Sequence, residues 1–325
     1  MDMDRIYIST KDFPLSDEQR ALFEEIVKNG TRKAGLVWKA PDEMTNEDFE
    51  QAAATIHFYP PERYSVCKKL EWVQLTSAGA NMFTGPGILP ENVTLTNASG
   101  AYSLTVGEHM LAMTFDLVRH LGEYRVNQTR HVWDYRGSVQ SVEGSTVVVL
   151  GMGDIGGFYA RKMNALGAHV IGVRKHLKEK PDYLDEQVTM DRLAEVLPKA
   201  DIVAMVLPGG KETEHIIGEK EFALMKEGSM ILNVGRGNAI DPAALRNALD
   251  SGHIRAAALD VTEPELLPAD DPLWDYENVL ITPHAAGWWF LQETLNRAAA
   301  ICAENLRCFV NGEPLTHVVD RKLGY

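Results

Sequence analysis

The stretch STVVVLGMGDIGGFYARKMNALGAHVIGVRKH, residues 145–176, decides the fold. STVVVL (145–150) is an apolar run of strand length and ends at a GxGxxG set, Gly151, Gly153 and Gly156. Ile155–Leu166 continues as a helix that Gly167 stops, and AHVIGV (168–173) is the next strand. Glycine is common, and by itself such a set also suits a βα turn that binds nothing. Between a buried strand and a helix it predicts a pyrophosphate site. Gly151 permits the turn, Gly153 lets backbone approach the phosphates, and Gly156 packs helix on strand. The helix start at Asp154 and Ile155 offers unpaired N–H groups and the positive end of the helix dipole.

The end of the second strand carries the next piece of information. NAD-binding turns place a carboxylate there to hold the adenosine ribose hydroxyls. Here Arg174 stands eighteen residues past Gly156, followed by Lys175. An arginine can pair with a 2′-phosphate and stack on adenine, whereas an acid would repel that phosphate. NADP(H) is therefore the expected cofactor, with NAD(H) possible. His176, Lys178 and Lys180 extend the basic run, so a plain solvated loop is the competing explanation.

Outward from this unit, short apolar runs alternate with amphipathic segments, which predicts an α/β protein with parallel sheets. Before it, strands are expected at Arg5–Ser9, Gly35–Trp38, Thr55–Tyr59, Glu71–Leu75 and Val93–Thr96. A helix over Ser16–Lys28 has Ser16 as its cap and Gln19 three residues on. Ala101–Leu121 reads as one long helix. After it come strands at 201–208, 229–234, 254–261 and 278–283, a helix opened by Asp241-Pro242 and closed by Gly252, and a last helix over Leu291–Val310. The expected layout is discontinuous. Residues 1–105 with 291–325 form one domain, and residues 106–290 form the dinucleotide-binding domain.

Composition narrows the function. The 325 residues are 45% hydrophobic and 24% charged, as in globular proteins. Net charge is −14 and the pI is near 5.2, a balance that disfavours nucleic acid and acidic membranes as partners. Cys67, Cys302 and Cys308 form no CxxC pair, so neither a zinc site nor a disulfide framework is expected. The opening MDMDRIYIST lacks the features of a secretory leader, and no apolar run reaches the ~18 residues that a membrane span needs. A cytoplasmic location without metal follows as the expectation.

Three strand ends carry reactive side chains: Arg236 in NVGRG, Glu265 in DVTEPE and His284 in TPHAAG. Ligands of open α/β sheets bind at such ends. Arg236 can hold a carboxylate and polarise a carbonyl, His284 can give a proton near neutral pH, and Glu265 can orient the imidazole. Singly, each has an ordinary reading as a loop residue. Beside a dinucleotide site, together they describe hydride transfer.

At these motifs the sequence resembles the D-isomer-specific 2-hydroxyacid dehydrogenases. The resemblance runs through GMGDIG, LPGGKET (207–213), NVGRG (233–237), ALDVTEPELLP (258–268), NVLITPHAAG (278–287) and the closing VVDRKLGY. It implies two Rossmann-like or flavodoxin-like domains, an active site in the interdomain cleft and a homodimer. It also implies that Arg236, Glu265 and His284 are catalytic, at separations of 29 and 19 residues that favour Glu265 over Glu263. Asp260 matches a residue near the nicotinamide, and Leu207, Pro208 and Thr213 match the loop flanking adenosine. Val234, Gly235 and Gly287 join them as cofactor contacts. SAGAN (77–81) is similar to the loop whose amides hold the substrate carboxylate, which assigns Ala78, Gly79 and Ala80 to substrate.

The sequence departs from the family at Asn81, where aspartate is usual, in LPGGKET, and at Trp288-Trp289. The two tryptophans suit either a packed interface or an apolar wall of the substrate pocket. The expected activity is NADPH-preferring reduction of a small 2-oxoacid such as glyoxylate, hydroxypyruvate or pyruvate. Alternatives are an NAD-linked D-lactate or 3-phosphoglycerate type of dehydrogenase, a phosphite- or formate-oxidising relative, and a non-catalytic NAD(P) sensor.

Overall fold

The computed structural model describes residues 3–57, 59–322 and 324. Phe58 of the predicted strand Thr55–Tyr59, and Leu323 and Tyr325 of VVDRKLGY, lie outside the described residues. The chain divides into two compact units. One runs to Tyr102 and resumes at Trp289; the other is Ser103–Trp288.

The first unit contains β1 (Asp4–Ile8), α1 (Asp17–Asn29), β2 (Ala34–Trp38), α2 (Asn46–Gln51), β3 (Ala52–Ile56), β4 (Trp72–Gln74) and β5 (Thr94–Thr96). The strands pair in parallel in the order β2-β1-β3-β4-β5, a flavodoxin-like winding. Successive residues of β1 point to opposite faces. Ile6 and Ile8 join Phe23, Val27, Trp72 and the C-terminal helix residues Leu306 and Val310, while Tyr7 joins Phe49, Tyr64 and Val73 on the other face. Helix α1 opens as predicted, with Gln19 N–H on Ser16 Oγ (3.2 Å) and Ser16 N–H on Gln19 Oε1 (2.9 Å).

Strand β3 lies earlier than predicted, over AAATI. Alanine is a poor strand former, but all five residues are buried, and Ala53 and Ala54 face one core while Ala52 faces the other. Burial of both faces, not β propensity, places this strand.

The second unit begins with α3 (Ser103–Arg119) and α4 (Leu121–Thr129), and continues through β6 (Thr146–Leu150), α5 (Asp154–Ala165), β7 (His169–Arg174) and β8 (Glu186–Thr189). Then come α6 (Leu193–Val196), β9 (Ile202–Met205), α7 (Glu219–Leu224), β10 (Ser229–Asn233), α8 (Pro242–Asp250), β11 (Ile254–Leu259) and β12 (Val279–Ile281). All seven strands are parallel, in the order β12-β11-β10-β9-β6-β7-β8. The order reverses between β6 and β9, and such a switch point opens a crevice at the carboxyl ends of the strands. Val147–Leu150 of β6 are fully buried, each side chain contributing about 1.5–3 kcal/mol of hydrophobic stabilisation. Asp241 caps α8 by accepting the N–H groups of Ala243 (2.8 Å) and Ala244 (2.9 Å), as the sequence predicts.

The helix expected over Ala101–Leu121 is α3, which stops at Arg119, and α4 follows it as a further helix. His120 turns the chain between them in the left-handed region (φ 58), and its ring is held by Glu123 (2.5 Å) and Ser138 O (3.0 Å). The remaining helix, Gln292–Asn311, packs in the first unit.

Candidate functional site

Gly151 leaves β6 at φ 101, and a Cβ there would lie 2.5 Å from Val206 O. At Gly156 a Cβ would lie 1.9 Å from Gly151 O, so only glycine lets α5 pack onto the turn. Nothing lies within 4 Å of a Cβ built on Gly153, the N-cap of α5, and no side chain caps that helix. The amides of Asp154, Ile155 and Gly156 thus open α5 at an uncapped, unobstructed cradle. This is the geometry that a pyrophosphate needs, so the residues present fit a dinucleotide.

The neighbouring loops close on this turn. Leu207 and Pro208 follow β9, and Thr213 Oγ1 donates to Pro208 O (2.8 Å), tying the LPGGKET loop to its own start. Val234 and Gly235 follow β10, where a Cβ on Gly235 would lie 2.7 Å from Leu207 N. Arg174, at the end of β7, donates to Met152 O (3.1 Å) inside the glycine turn and to Gln187 Oε1 (3.2 Å). Lys175 points elsewhere, onto Glu212 Oε2 at 2.6 Å.

Arg236 lies one residue beyond Gly235. Its Nη1 donates to Gly235 O (2.7 Å), and Asn233 braces the loop through Arg236 O (2.8 Å) and Gly235 N–H (3.0 Å). Burial lowers the pKa of the Arg236 guanidinium, and the charge of Glu265 opposes that shift. The NVGRG loop abuts the VTEPE loop so closely that a Cβ on Gly237 would lie 1.8 Å from Thr262 O.

Glu265 Oε1 meets His284 Nδ1 at 2.5 Å. Their side chains are 41% and 49% exposed, and an ion pair so open to water adds only about 0–1 kcal/mol to stability. Its consequence is orientation: Glu265 Oε1 accepts a hydrogen bond from Nδ1–H, which leaves Nε2 as the nitrogen that can meet a ligand. Glu263, two residues earlier, pairs instead with His215 Nε2 at 2.7 Å. That bond, the largest cause, raises the His215 pKa. The structure thus brings Arg236, Glu265 and His284 together and assigns Glu263 to another histidine.

Asp260 is 2% exposed and braces the histidine loop. Its carbonyl accepts His284 N–H (2.8 Å), and its carboxylate accepts Ala285 N–H (2.8 Å), Ala286 N–H (3.2 Å) and the Thr282 hydroxyl (2.6 Å). Gly287 ends the same loop. Asn233 and Thr282 were not singled out by the sequence reading. Their polar side chains stand beside strand-end motifs, but what they bond depends on contacts between distant loops.

In the first unit, Ala78, Gly79 and Ala80 follow β4. The carbonyls of residues 76–79 are all engaged internally, by Tyr102 Oη (2.7 Å), Ala98 N–H (2.9 Å), Asn97 Nδ2 (2.8 Å) and Ser77 Oγ (2.7 Å). Trp289 is tied within this unit, donating to Asp12 O (2.6 Å) beside Phe13 and Tyr102. Trp288 belongs to the second unit and is half-exposed. A cavity of about 440 Å3 near Leu117, His120, Tyr276 and Ile281 contains none of the trio. Among the described residues, no group of three His, Cys, Asp or Glu is placed to hold a metal ion, and no helix is long and apolar enough to cross a membrane.

A Rossmann sheet with an open phosphate cradle, and a histidine–carboxylate pair beside a half-buried arginine at the ends of its strands, define a nicotinamide-dependent oxidoreductase. The family model for the NAD binding domain of D-isomer specific 2-hydroxyacid dehydrogenases matches residues 111–286. The chain is 33% identical to glyoxylate reductase of Korarchaeum cryptofilum over 77% of this chain and 72% of that one. It is 32% identical to D-3-phosphoglycerate dehydrogenase of Methanocaldococcus jannaschii over 78% of this chain but only 48% of that longer protein. A solved D-isomer specific 2-hydroxyacid dehydrogenase from Xanthobacter autotrophicus, in complex with NADPH and MES, superposes with a TM-score of 0.82 at 27% identity, covering 98% of this chain and 99% of that one. The protein belongs to the D-isomer specific 2-hydroxyacid dehydrogenases, NAD(P)-dependent oxidoreductases.

Proposed function

We propose that this protein is an NADPH-preferring reductase of small 2-oxoacids, with glyoxylate, hydroxypyruvate and pyruvate as the first substrates to test. The observation that carries the reading is the His284–Glu265 pair at 2.5 Å in the same strand-end loops as Arg236. Bound NADPH supplies the hydride for the keto carbon. Arg236 binds the substrate carboxylate and polarises the adjacent carbonyl. His284 delivers a proton from Nε2 to the carbonyl oxygen as charge develops there. Glu265 holds the ring through Nδ1, so that Nε2 faces the substrate. In the first unit, the amides of Ala78, Gly79 and Ala80 are the proposed binding element for a substrate carboxylate.

The preference for NADPH rests on Arg174, whose guanidinium lies against the glycine turn where an acid would exclude a 2′-phosphate. Lys175 would have to leave Glu212 to contribute. Arg174→Asp should raise KM for NADPH about 10- to 100-fold, the loss of a charge-assisted contact, and change KM for NADH far less. Equal effects on both cofactors would make Arg174 a loop residue only.

A homodimer is the proposed assembly. Its support is the segment after α4, where Trp133 is fully exposed and Tyr135 nearly so. Arg130 and Arg136, at its two ends, both pair with Glu277. A cytoplasmic setting is supported by the three cysteines, all free thiols. The function is tested by following oxidation of NADPH and NADH with the three 2-oxoacids. Tight cofactor binding without turnover on any 2-oxoacid would favour a sensor instead.

A further inference from the structure

His284 occupies a backbone conformation that needs support. Its φ is 51, in the left-handed region, which costs a residue bearing a Cβ roughly 1–2 kcal/mol. The Asp260 carbonyl and carboxylate bond the amides of His284, Ala285 and Ala286 and hold that turn. What holds Asp260 comes from helix α3. His109 Nε2 lies 3.1 Å from Thr282 Oγ1 and 3.7 Å from Asp260 Oδ1. One turn earlier on the same helix face, Thr105 Oγ1 donates to Ala286 O at 3.3 Å.

Proton counting sets the direction of this chain. A threonine hydroxyl has one proton to donate. At 2.6 Å that proton goes to Asp260 Oδ1, so Thr282 Oγ1 can only accept from His109. His109 must therefore carry its proton on Nε2. The order runs from His109 Nε2–H to Thr282 Oγ1–H to Asp260 Oδ1, which also receives Ala285 N–H beside the reactive ring.

We propose that His109 and Thr282 are positioning residues for the reduction: acting through Asp260, they fix the 282–286 loop and so aim the His284 ring. Neither touches a reacting atom. The proposal rests on His284 as the proton donor and adds to that reading where the donor's placement comes from. Loss of the chain lets the loop relax while the glycine turn stays intact, so the effect falls on turnover and not on cofactor binding.

The test compares variants in the full-length protein. Thr282→Val and His109→Leu should each lower kcat about 10- to 100-fold, the scale of a small misplacement of a reacting group. The dissociation constant for NADPH, measured by calorimetry, should stay within about threefold. Thr282→Ser and His109→Gln keep the hydroxyl and an N–H near the Nε2 position, and should recover most of the loss. The double variant His109→Leu/Thr282→Val should lose little more than either single one, because one chain is broken once. A serine variant as impaired as the valine variant, or wild-type kcat in both breaking variants, would overturn the proposal. Long-range 15N NMR of labelled histidine decides the chain independently of activity: an Nε2–H tautomer at His109 supports it, and an Nδ1–H tautomer contradicts it. If His284→Ala keeps wild-type turnover, the proton-donor reading falls by itself, and the tautomer measurement still decides the chain.

Discussion

Two histidine–glutamate pairs hang on one loop of the second unit, and they differ in what each leaves over. His284 binds Glu265 through Nδ1 at 2.5 Å, and His215 binds Glu263 through Nε2 at 2.7 Å. Both rings are half-exposed. His215 has its other nitrogen 3.8 Å from Asp241, so carboxylates face both sides of the ring and, with the Glu263 bond first, raise its pKa. A ring so occupied clasps loops together. His284 commits Nδ1 to a carboxylate, and in the proposed function its Nε2 serves the substrate, in the loops that also carry Arg236. A short bond to glutamate does not by itself mark a catalytic histidine; the proposed role of His284 rests on its second nitrogen and on the neighbouring loop that carries Arg236.

This difference can be broken at the glutamates. Glu265→Gln should lower kcat about 10- to 100-fold, because the ring loses its orienting charge. Glu263→Gln should leave kcat within about twofold. Similar losses from both would erase the distinction and point to a loop-wide effect.

A third histidine lies in the opposite environment. His57 is buried in the first unit, stacked on Phe13, with Nδ1 2.5 Å from Thr76 Oγ1. Burial pushes its pKa down to about 4 from 6.5. The unfolded chain therefore binds this proton first as pH falls. His57 costs the fold nothing above pH 6.5 and removes stability progressively between 6.5 and about 4, on the order of 3 kcal/mol in all. Urea unfolding of His57→Gln across that range should show a shallower loss than the unaltered protein. An identical slope would mean that another group titrates.

The smallest effect belongs to the clasp. Because the His215 pKa is raised, its pair with Glu263 stabilises the fold below the ordinary histidine value and fades as pH rises through the shifted one. His215→Gln should cost about 0–1 kcal/mol at low pH, as for an exposed pair, and less above the transition. A penalty that grows with pH would contradict the assignment.

The parts legible in the sequence are those fixed within one short segment. Val147–Leu150 announce a strand buried on both faces, the glycine turn states its own geometry, and Asp241-Pro242 opens a helix with its own cap. Arg236, Glu265 and His284 stood out because strand ends in this architecture face the ligand. What stayed hidden is fixed by residues far apart in the chain. Strand β8 is a half-exposed edge without an apolar run, and β3 is alanine-rich because both its faces are covered. The turn at His120 depends on Ser138, and the partners of Glu263 and Asp260 are set by folded loops.

His284, and not His215, is the proposed proton donor. Steady-state turnover of NADPH and a 2-oxoacid, measured side by side for His284→Ala and His215→Ala, separates the two histidines. His284→Ala should lower kcat about 10²- to 10⁴-fold with cofactor binding retained, and His215→Ala should keep kcat within about twofold of the unaltered enzyme. Comparable turnover in the two variants would contradict this assignment.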